Sequence, residues 1–338
     1  MSKLFGKVSD SLVLLSACMI VKNGEATLEE CLRSLAGLVD EVVIIDGASE
    51  DRSVEIAKDL GACVYEIPWP NDFARQRNRA LRKAKGRWGL TIDHDNVVVD
   101  TDIKAIRKLL TSPDTPPALI VKELLKWPGG QQSTVMKTRL FRLDMGFEYR
   151  FPVHEQLKLA GHKPGVSDLT MVHYGYETTD QIQAKEERNL AIALTMPDNR
   201  HGFYRRAKSA RSLHRWGLAV AQCKAVLECS APRWQLTEAC VLGAISAFNA
   251  KREDDMGKFM EQAWLLAPDS PDVLYMELLA LARRYAAMVR SSPFPSDGSN
   301  QSYLLRHSSE RALGILAYLS GSGISTEDLS GHWRGSTC

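Results

Sequence analysis

The sequence predicts an α/β domain with a mainly parallel sheet, followed by an all-helical domain. Short apolar segments alternate with amphipathic ones from residue 12 onward, and consecutive helix-like segments begin near Gln181. Alternation of this kind, with short loops, is typical of a parallel sheet covered by helices on both faces. We therefore predict an α/β domain over residues 1–180, a helical-repeat domain over residues 181–320 and a flexible polar tail over residues 321–338.

The apolar segments of the first domain are predicted to be strands. The segment 12–21 is almost continuously apolar, as a strand buried on both faces would be. Further strands are predicted at residues 41–45, 63–67, 88–92, 118–125, 134–143 and 169–172. The first, second and fourth strands end just before Asn23, Asp46 and Asp93, so these polar residues should share the carboxyl edge of the sheet, where such folds bind ligands.

Amphipathic segments between the strands are predicted to be helices. The first has apolar residues at positions 28, 31, 32 and 35 on one face, and Thr27 with Glu30 forms a capping-box pattern at its start. Further helices are predicted at residues 53–60, 71–85 and 100–110, and Gly61 and Gly86 end the first two of these.

The sequence of the second domain predicts a series of consecutive helices. Amphipathic segments lie at residues 207–227, 236–250, 256–266 and 273–288, and the stretch 291–300, rich in Ser, Pro and Gly, is predicted to be a loop. Pro232 and Pro268 follow similar apolar positions in two helical hairpins. This pattern resembles a degenerate tetratricopeptide-type array, and such arrays bind partners or rigidify a neighbouring domain.

Composition narrows the class of protein. The 338 residues carry a formal net charge of +2, which gives no global basic field for nucleic acid. Seven cysteines without a Cys-x-x-Cys pair predict a reducing, cytoplasmic location and no structural zinc. No apolar segment approaches the about 20 residues that span a bilayer. Leu15-Ser16-Ala17-Cys18, behind Lys3 and Lys7, resembles a lipoprotein signal, but the same segment is better explained as the first strand.

Asp93 and Asp95 are the most informative acids of the chain. In an extended chain, residues two apart point to the same face, and this pair follows a predicted strand. Two close carboxylates favour a hard divalent cation such as Mg²⁺ or Mn²⁺, which in turn binds diphosphates. A solvated acidic turn would give the same tripeptide. The absence of a Gly-x-Gly-x-x-Gly or P-loop motif argues against a nicotinamide cofactor or a Walker-type site.

Several motifs occur together in one order. They are Cys18-Met19-Ile20-Val21-Lys22-Asn23, the segments 39–49 and 68–78, Asp93-His94-Asp95, Arg139-Leu140-Phe141-Arg142, Val153-His154-Glu155 and His173-Tyr174-Gly175-Tyr176. This ordered set resembles family 2 glycosyltransferases of the bacterial and phage type that carry a tetratricopeptide-like C-terminal domain. The chain departs from the family pattern in three places. Gly24 stands where the family usually has Glu, and Gly47-Ala48-Ser49 stands where it usually has Thr-Gly-Ser or Asp-Gly-Ser. At the metal site, His94 and Asn96 stand where the family usually has Ala and Glu.

The resemblance implies a GT-A fold and a nucleotide-sugar donor, UDP-hexose or UDP-N-acetylhexosamine, held with Mn²⁺ or Mg²⁺. It places Val21, Glu25, Asp46, Arg75, Asn78 and Asp93 at the nucleotide, Asp95, His173 and Asp93 at the metal, and Glu155 with His154 at the reacting centre. Glu155 would take the acceptor proton in an inverting single displacement, with the cation neutralising the leaving diphosphate.

Each of these residues also has a purely structural reading. Asp46 fits a helix-capping residue. Arg75 and Asn78, three apart on one helix face, fit a solvated basic helix that includes Arg77. His154 and Glu155 fit a structural pair beneath the site.

Two other function classes stay open, namely a nucleotidyltransferase and a catalytically inactive helical scaffold. The acceptor of a glycosyltransferase would be a protein or peptide side chain, a lipopolysaccharide core sugar or a modified DNA base. The sequence does not define the oligomeric state.

Overall fold

The computed structural model describes residues 3–5, 13–175 and 178–277. The chain divides into two compact units after Ile192. The predicted domain boundary at residue 180 stays a prediction, and one helix, Thr179–Leu194, spans the division. Parts of the sequence interpretation lie outside the described residues, namely Tyr176, the end of the helix predicted at 273–288, the loop at 291–300 and the tail after residue 320.

The first unit contains ten strands and five helices within the described residues. The strands are β1 (Leu15–Val21), β2 (Glu41–Asp46), β3 (Cys63–Glu66), β4 (Trp88–Thr91), β5 (Asn96–Val99), β6 (Ala118–Lys126), β7 (Gln132–Arg142), β8 (Glu148–Arg150), β9 (Gln156–Lys158) and β10 (Gly165–His173). The helices are α1 (Glu25–Ser34), α2 (Ser53–Asp59), α3 (Phe73–Lys83), α4 (Ile103–Thr111) and α5 (Thr179–Leu194).

Eight of the strands form one sheet, in the order β3-β2-β1-β4-β7-β6-β10-β5. The first four of them pair in parallel, which confirms the α/β prediction. Beyond β4 the sheet is mixed, because β7 runs antiparallel to both β4 and β6, and β5 runs antiparallel to β10. Strands β8 and β9 form a separate antiparallel pair.

The first helix begins earlier than the capping-box pattern indicates. Gly24 is its N-cap residue, with no side-chain cap, and Thr27 lies inside the first turn. Asn23, with φ of +54°, turns the chain so that α1 starts almost directly after β1. The Thr27 hydroxyl instead lies 2.9 Å from His94 Nδ1, so the capping-box prediction is wrong.

The core of the first unit lies between the sheet and its helices. Leu28, Cys31 and Leu32 on α1 are fully buried, together with Met19 of β1 and Trp88 of β4. Each large apolar side chain buried in this way contributes about 1.5–3 kcal/mol relative to exposure. This packing fixes the ends of β1, β2 and β4, which carry the polar residues of the site.

The second unit is helical, as predicted. Its helices are α6 (Arg200–Ser212), α7 (Trp216–Leu227), α8 (Arg233–Asn249) and α9 (Glu253–Leu266), and residues 271–277 are also helical. Consecutive helices pack against each other around small and aromatic side chains such as Ala207, Cys240, Ala244 and Phe259. In the described part of the chain, no helix is both long enough and apolar enough to cross a bilayer.

Candidate active site

The loops after β1 and β2 are tied together by their own polar groups. Asn23 N donates to Ser49 Oγ at 2.9 Å, and Glu25 N donates to Asp51 Oδ2 at 3.0 Å. In return, the Glu25 carboxylate accepts from the backbone of Arg52 at 2.8 Å. These crossed hydrogen bonds hold the carboxyl edge of the two strands in one arrangement.

Val21 and Asp46 lie side by side at this edge. They are paired in the parallel register of β1 and β2, and Gly47 N donates to Val21 O at 2.7 Å. Asp46 is buried and accepts from Ser49 N at 2.9 Å and Ser49 Oγ at 2.5 Å, so it caps the turn after β2 and not the helix α2. Two carboxylate oxygens offer about four acceptor positions, so a nucleoside contact by Asp46 stays a prediction compatible with this arrangement.

Asp93 and Asp95 have different partners. Residues 93–96 form a turn, in which Asn96 N donates to Asp93 O at 3.0 Å. The argument from an extended chain therefore does not apply to this pair. Asp93 accepts from two arginines, whereas Asp95 lies beside His173.

Asp93 belongs to a buried chain of alternating charges. Arg77 donates to Asp93 at 2.8 Å and, through Nε, to Glu155 at 2.7 Å. Arg139 donates to the second oxygen of Asp93 at 3.2 Å and, through Nε, to Glu123 at 2.8 Å. Within the described residues, Arg77 Nη1 is buried without a hydrogen-bond partner.

The arginines control the ionisation of this chain. Burial alone would raise the pKa of Asp93, but Arg77 and Arg139 outweigh burial and hold that pKa well below its usual range. The pKa of Glu123 is also lowered, because Arg139 and Lys137 outweigh the effect of burial. Both carboxylates are therefore ionised at neutral pH, and Arg77 presents Glu155 next to Asp93.

Asp95 and His173 form a second, smaller cluster. His173 Nδ1 lies 3.3 Å from Asp95 Oδ1, and in the described part of the chain that buried oxygen makes no hydrogen bond of good geometry. A Cβ atom at Gly175 would lie 2.2 Å from Asp95 Oδ2 and 2.8 Å from His173 Nε2. Gly175 therefore lets the Asp95 carboxylate and the His173 ring come together against its backbone, where any side chain would clash with both.

The pKa of Asp95 suits a cation ligand. Burial would raise the pKa of this carboxyl group, but the neighbouring His173 outweighs burial and lowers it. Asp95 is therefore an anion at neutral pH, with one buried oxygen lacking a hydrogen bond of good geometry among the described residues.

Known proteins resemble this part of the chain. The family described as Glycosyl transferase family 2 matches residues 16–140. The chain carries a family 2 glycosyltransferase domain. A TPR repeat-containing protein of Synechococcus elongatus is 32% identical over 140 residues, covering 41% of this chain and 34% of that protein. The SPbeta prophage-derived glycosyltransferase SunS of Bacillus subtilis is 26% identical over 190 residues, covering 53% of this chain and 44% of SunS.

The match to these proteins is partial. This chain spans between a third and a half of the length of the two curated relatives, 34% and 44%. Among solved structures, S. aureus TarS 1–349 in complex with UDP-GlcNAc aligns with 75% of this chain and 91% of its own, at 14% identity and a TM-score of 0.44. A likeness of that degree bears on neither the substrate nor the mechanism of this chain.

In the family 2 domain, two residues of α3 were predicted to contact the nucleotide sugar, and the structure places them in different surroundings. Asn78 Nδ2 donates to Tyr149 O at 2.8 Å, and Asn78 Oδ1 accepts from Tyr149 N at 2.8 Å. This side chain therefore joins α3 to β8. Arg75 is exposed, and its contact with a diphosphate stays a prediction.

The residues that the sequence interpretation missed in the family 2 domain are charged and buried. Arg77 was grouped with the solvated basic residues of α3, Arg139 was only part of a motif, and Glu123 was not singled out. A signal for Arg77 exists, because it lies three residues from both Ala74 and Ala80 and shares their buried face.

Glu155 and His154 lie in the segment between β8 and β9. His154 has φ of +49°, a left-handed backbone conformation that is uncommon for a residue other than glycine. Arg77 binds Glu155 and Asp93 at the same time. The structure therefore brings this predicted base close to Asp93, at the carboxyl edge of the sheet. Its catalytic role stays a prediction.

Proposed function

We propose that this chain is an inverting glycosyltransferase that uses a UDP-sugar and a divalent cation. The donor would be a UDP-hexose or a UDP-N-acetylhexosamine, and the cation Mn²⁺ or Mg²⁺. One observation carries the proposal: a family 2 domain whose sheet edge brings Asp95 and His173 together, with Glu155 joined to Asp93 through Arg77. Val21, Asp46 and Glu25 would line the nucleoside at the same edge.

The residues present fit such a cation. Asp95 offers a buried oxygen without a hydrogen bond of good geometry among the described residues, and Gly175 lets Asp95 Oδ2 and His173 Nε2 lie together against its backbone. Across the described residues, no three His, Cys, Asp or Glu side chains group together as a metal site. Mg²⁺ is commonly bound by one or two protein ligands plus substrate phosphates, so two protein donors suffice. Asp93 contributes less than predicted, because arginines hold both of its oxygens.

The cation, when bound, would act as a Lewis acid that stabilises charge on the departing diphosphate. The protein residues would carry out the remaining steps. A Glu155 oxygen takes the proton of the acceptor nucleophile as that atom bonds to the anomeric carbon. The bond from the anomeric carbon to the phosphate oxygen breaks with its electron pair on UDP. Attack from the opposite side inverts the anomeric centre.

Arg77 prepares Glu155 for this role. Its Nε–H donates to Glu155 Oε1 at 2.7 Å, which fixes the position of the carboxylate beside Asp93. The buried Nη1 of Arg77 has no hydrogen-bond partner in the described ranges, which leaves a donor for a sugar or phosphate oxygen. The acceptor is proposed to be macromolecular or a glycan, with the helical unit as the part that contacts it.

An acid substitution tests the proposal directly. The wild type should release UDP from at least one of a panel of UDP-sugars in the presence of Mn²⁺. Asp95→Ala should lower the rate of UDP release by about 100-fold or more, because losing an electrostatic contact to the leaving group costs several kcal/mol. Asp114→Ala, which removes an exposed acid from a loop, is the matched control and should match the wild type. Unchanged UDP release by Asp95→Ala would contradict the proposed metal site, and no release from any donor by the wild type would contradict the activity.

A further inference from the structure

Lys185 approaches the Asp95–His173 cluster from helix α5. Its Nζ lies 3.5 Å from His173 Nε2, while the other ring nitrogen, Nδ1, faces Asp95 at 3.3 Å. The ring of His173 is therefore flanked by an anion on one side and a cation on the other. Lys185 is half-buried, and sequence reasoning did not single it out.

The chemistry of the lysine determines which proton His173 carries. An ammonium group only donates hydrogen bonds, so a contact with Nζ requires a lone pair on Nε2. A neutral imidazole with a lone pair on Nε2 has its proton on Nδ1, where it faces the Asp95 carboxylate. This is the tautomer in which Nε2 can bind a metal ion.

A metal ion and Lys185 would therefore use the same lone pair. Asp95 Oδ2 and His173 Nε2 both lie against the backbone of Gly175, and these two atoms are the protein donors proposed above for the cation. An ammonium group within a few ångströms of a divalent cation is repelled strongly at the low effective dielectric of a half-buried site. Metal binding would have to displace the ammonium from Nε2.

We propose that Lys185 is the resident cation of this cluster and a diphosphate-binding group of the donor site. Without metal, its ammonium offsets the charge of Asp95 and keeps the His173 lone pair occupied. With metal and donor bound, it turns to the diphosphate, whose negative charge attracts a lysine. Lys185 thereby lowers the affinity for the metal alone and raises the affinity for the nucleotide with its metal. This inference rests on the proposed function.

Helix α5 supplies a matched control. Arg188 lies one turn further along the same helix and carries the same charge, but its guanidinium lies 5.1 Å from the centre of the Phe73 ring. Substitution of Arg188 removes one positive charge from the same helix without touching the His173 nitrogen.

The test is a binding titration of the full chain. Mn²⁺ is titrated without nucleotide into the wild type and into Asp95→Ala, Lys185→Met, Lys185→Arg and Arg188→Met. UDP is then titrated at saturating Mn²⁺. Lys185→Met should bind Mn²⁺ about tenfold more tightly than the wild type and bind UDP about tenfold more weakly. Lys185→Arg should restore most of the UDP affinity, and Arg188→Met should stay within about twofold of the wild type in both titrations.

The outcomes separate this inference from the proposed function. If Lys185→Met binds Mn²⁺ no more tightly than the wild type, while Asp95→Ala no longer binds it, the role of Lys185 is overturned. The proposed metal site is then retained. Mn²⁺ binding that is equal in wild type, Lys185→Met and Asp95→Ala overturns both. Melting curves from circular dichroism show that each variant is folded before its affinity is compared.

Discussion

Gly24 and His94 come from two different loops and lie against each other. A Cβ atom on Gly24 would stand 2.9 Å from both Cγ and Nδ1 of the His94 ring, closer than side chains tolerate. Both are positions at which the chain departs from the family pattern: Gly24 replaces a larger Glu, and His94 replaces a smaller Ala. The two departures compensate each other, because the imidazole fills the volume that a side chain at position 24 would need.

This pairing predicts the outcome of a double-mutant cycle. Gly24→Ala should lower the free energy of unfolding by about 1–3 kcal/mol, because an added methyl group is forced against a packed ring. In a His94→Ala background the same substitution should cost much less, since the ring is gone. Chemical denaturation of the four variants measures the coupling.

Gly257→Ala is the control for this cycle. It adds a methyl group to helix α9 at a site with open space around the new atom, and it should be neutral or slightly stabilising. An equal cost for Gly24→Ala with and without the His94 ring would show that the ring is not the obstacle.

At the scale of single elements, helix α3 shows what periodicity can and cannot predict. The helix was predicted over residues 71–85 and is observed over Phe73–Lys83. Its sequence contains Arg75, Arg77 and Arg79 within five positions, and only their spacing relative to Ala74 and Ala80 distinguishes the buried one. A buried arginine needs its acidic partners, Asp93 and Glu155, and these lie in distant parts of the sequence that only the fold brings together.

The same helix carries a prediction that separates packing from binding. Asn78 makes two hydrogen bonds to the backbone of Tyr149, so Asn78→Ala should cost about 1–3 kcal/mol of stability and leave UDP affinity nearly unchanged. Thermal unfolding and a UDP titration on the same samples measure the two quantities. Arg82→Ala, at an exposed position of α3, is the control and should alter neither. Lost UDP affinity at an unchanged melting temperature would instead support the predicted donor contact of Asn78.

Strands β5, β8 and β9 were absent from the sequence interpretation for a physical reason. Each contains only three or four residues, too few for a period of two to stand out from the surrounding loops. Strand β5 nevertheless positions the site, since Asn96 and His173 are partners in the register of β5 and β10. This pairing places β5, which follows Asp95, beside β10, which ends at His173. The paired residues Asn96 and His173 are 77 positions apart, so no local sequence pattern predicts their contact.

For the whole molecule, the order of motifs was more informative than any one of them. Asp93-His94-Asp95 alone fits a surface turn, but seven modest motifs in the expected order indicated a family 2 domain, and the match over residues 16–140 agrees. The mixed half of the sheet was less predictable, because the direction of β7 depends on its pairing with β4 and β6, which no local pattern encodes. The partners of each charged residue could not be predicted, since they depend on contacts between distant segments.

The division into two units leads to a prediction for the whole chain. All residues assigned here to the donor site lie before Ile192, whereas Gly243 on α8 packs against the ring of Phe259, with 2.5–2.7 Å between three ring carbons and an added Cβ. Gly243→Ala should therefore destabilise the helical unit by about 1–3 kcal/mol and leave UDP affinity within about twofold of the wild type. Gly217→Ala on α7, where the new atom has open space, is the control. A parallel fall in helical stability and UDP affinity would mean that the helical unit takes part in donor binding, contrary to the assignment of that site to the first unit alone.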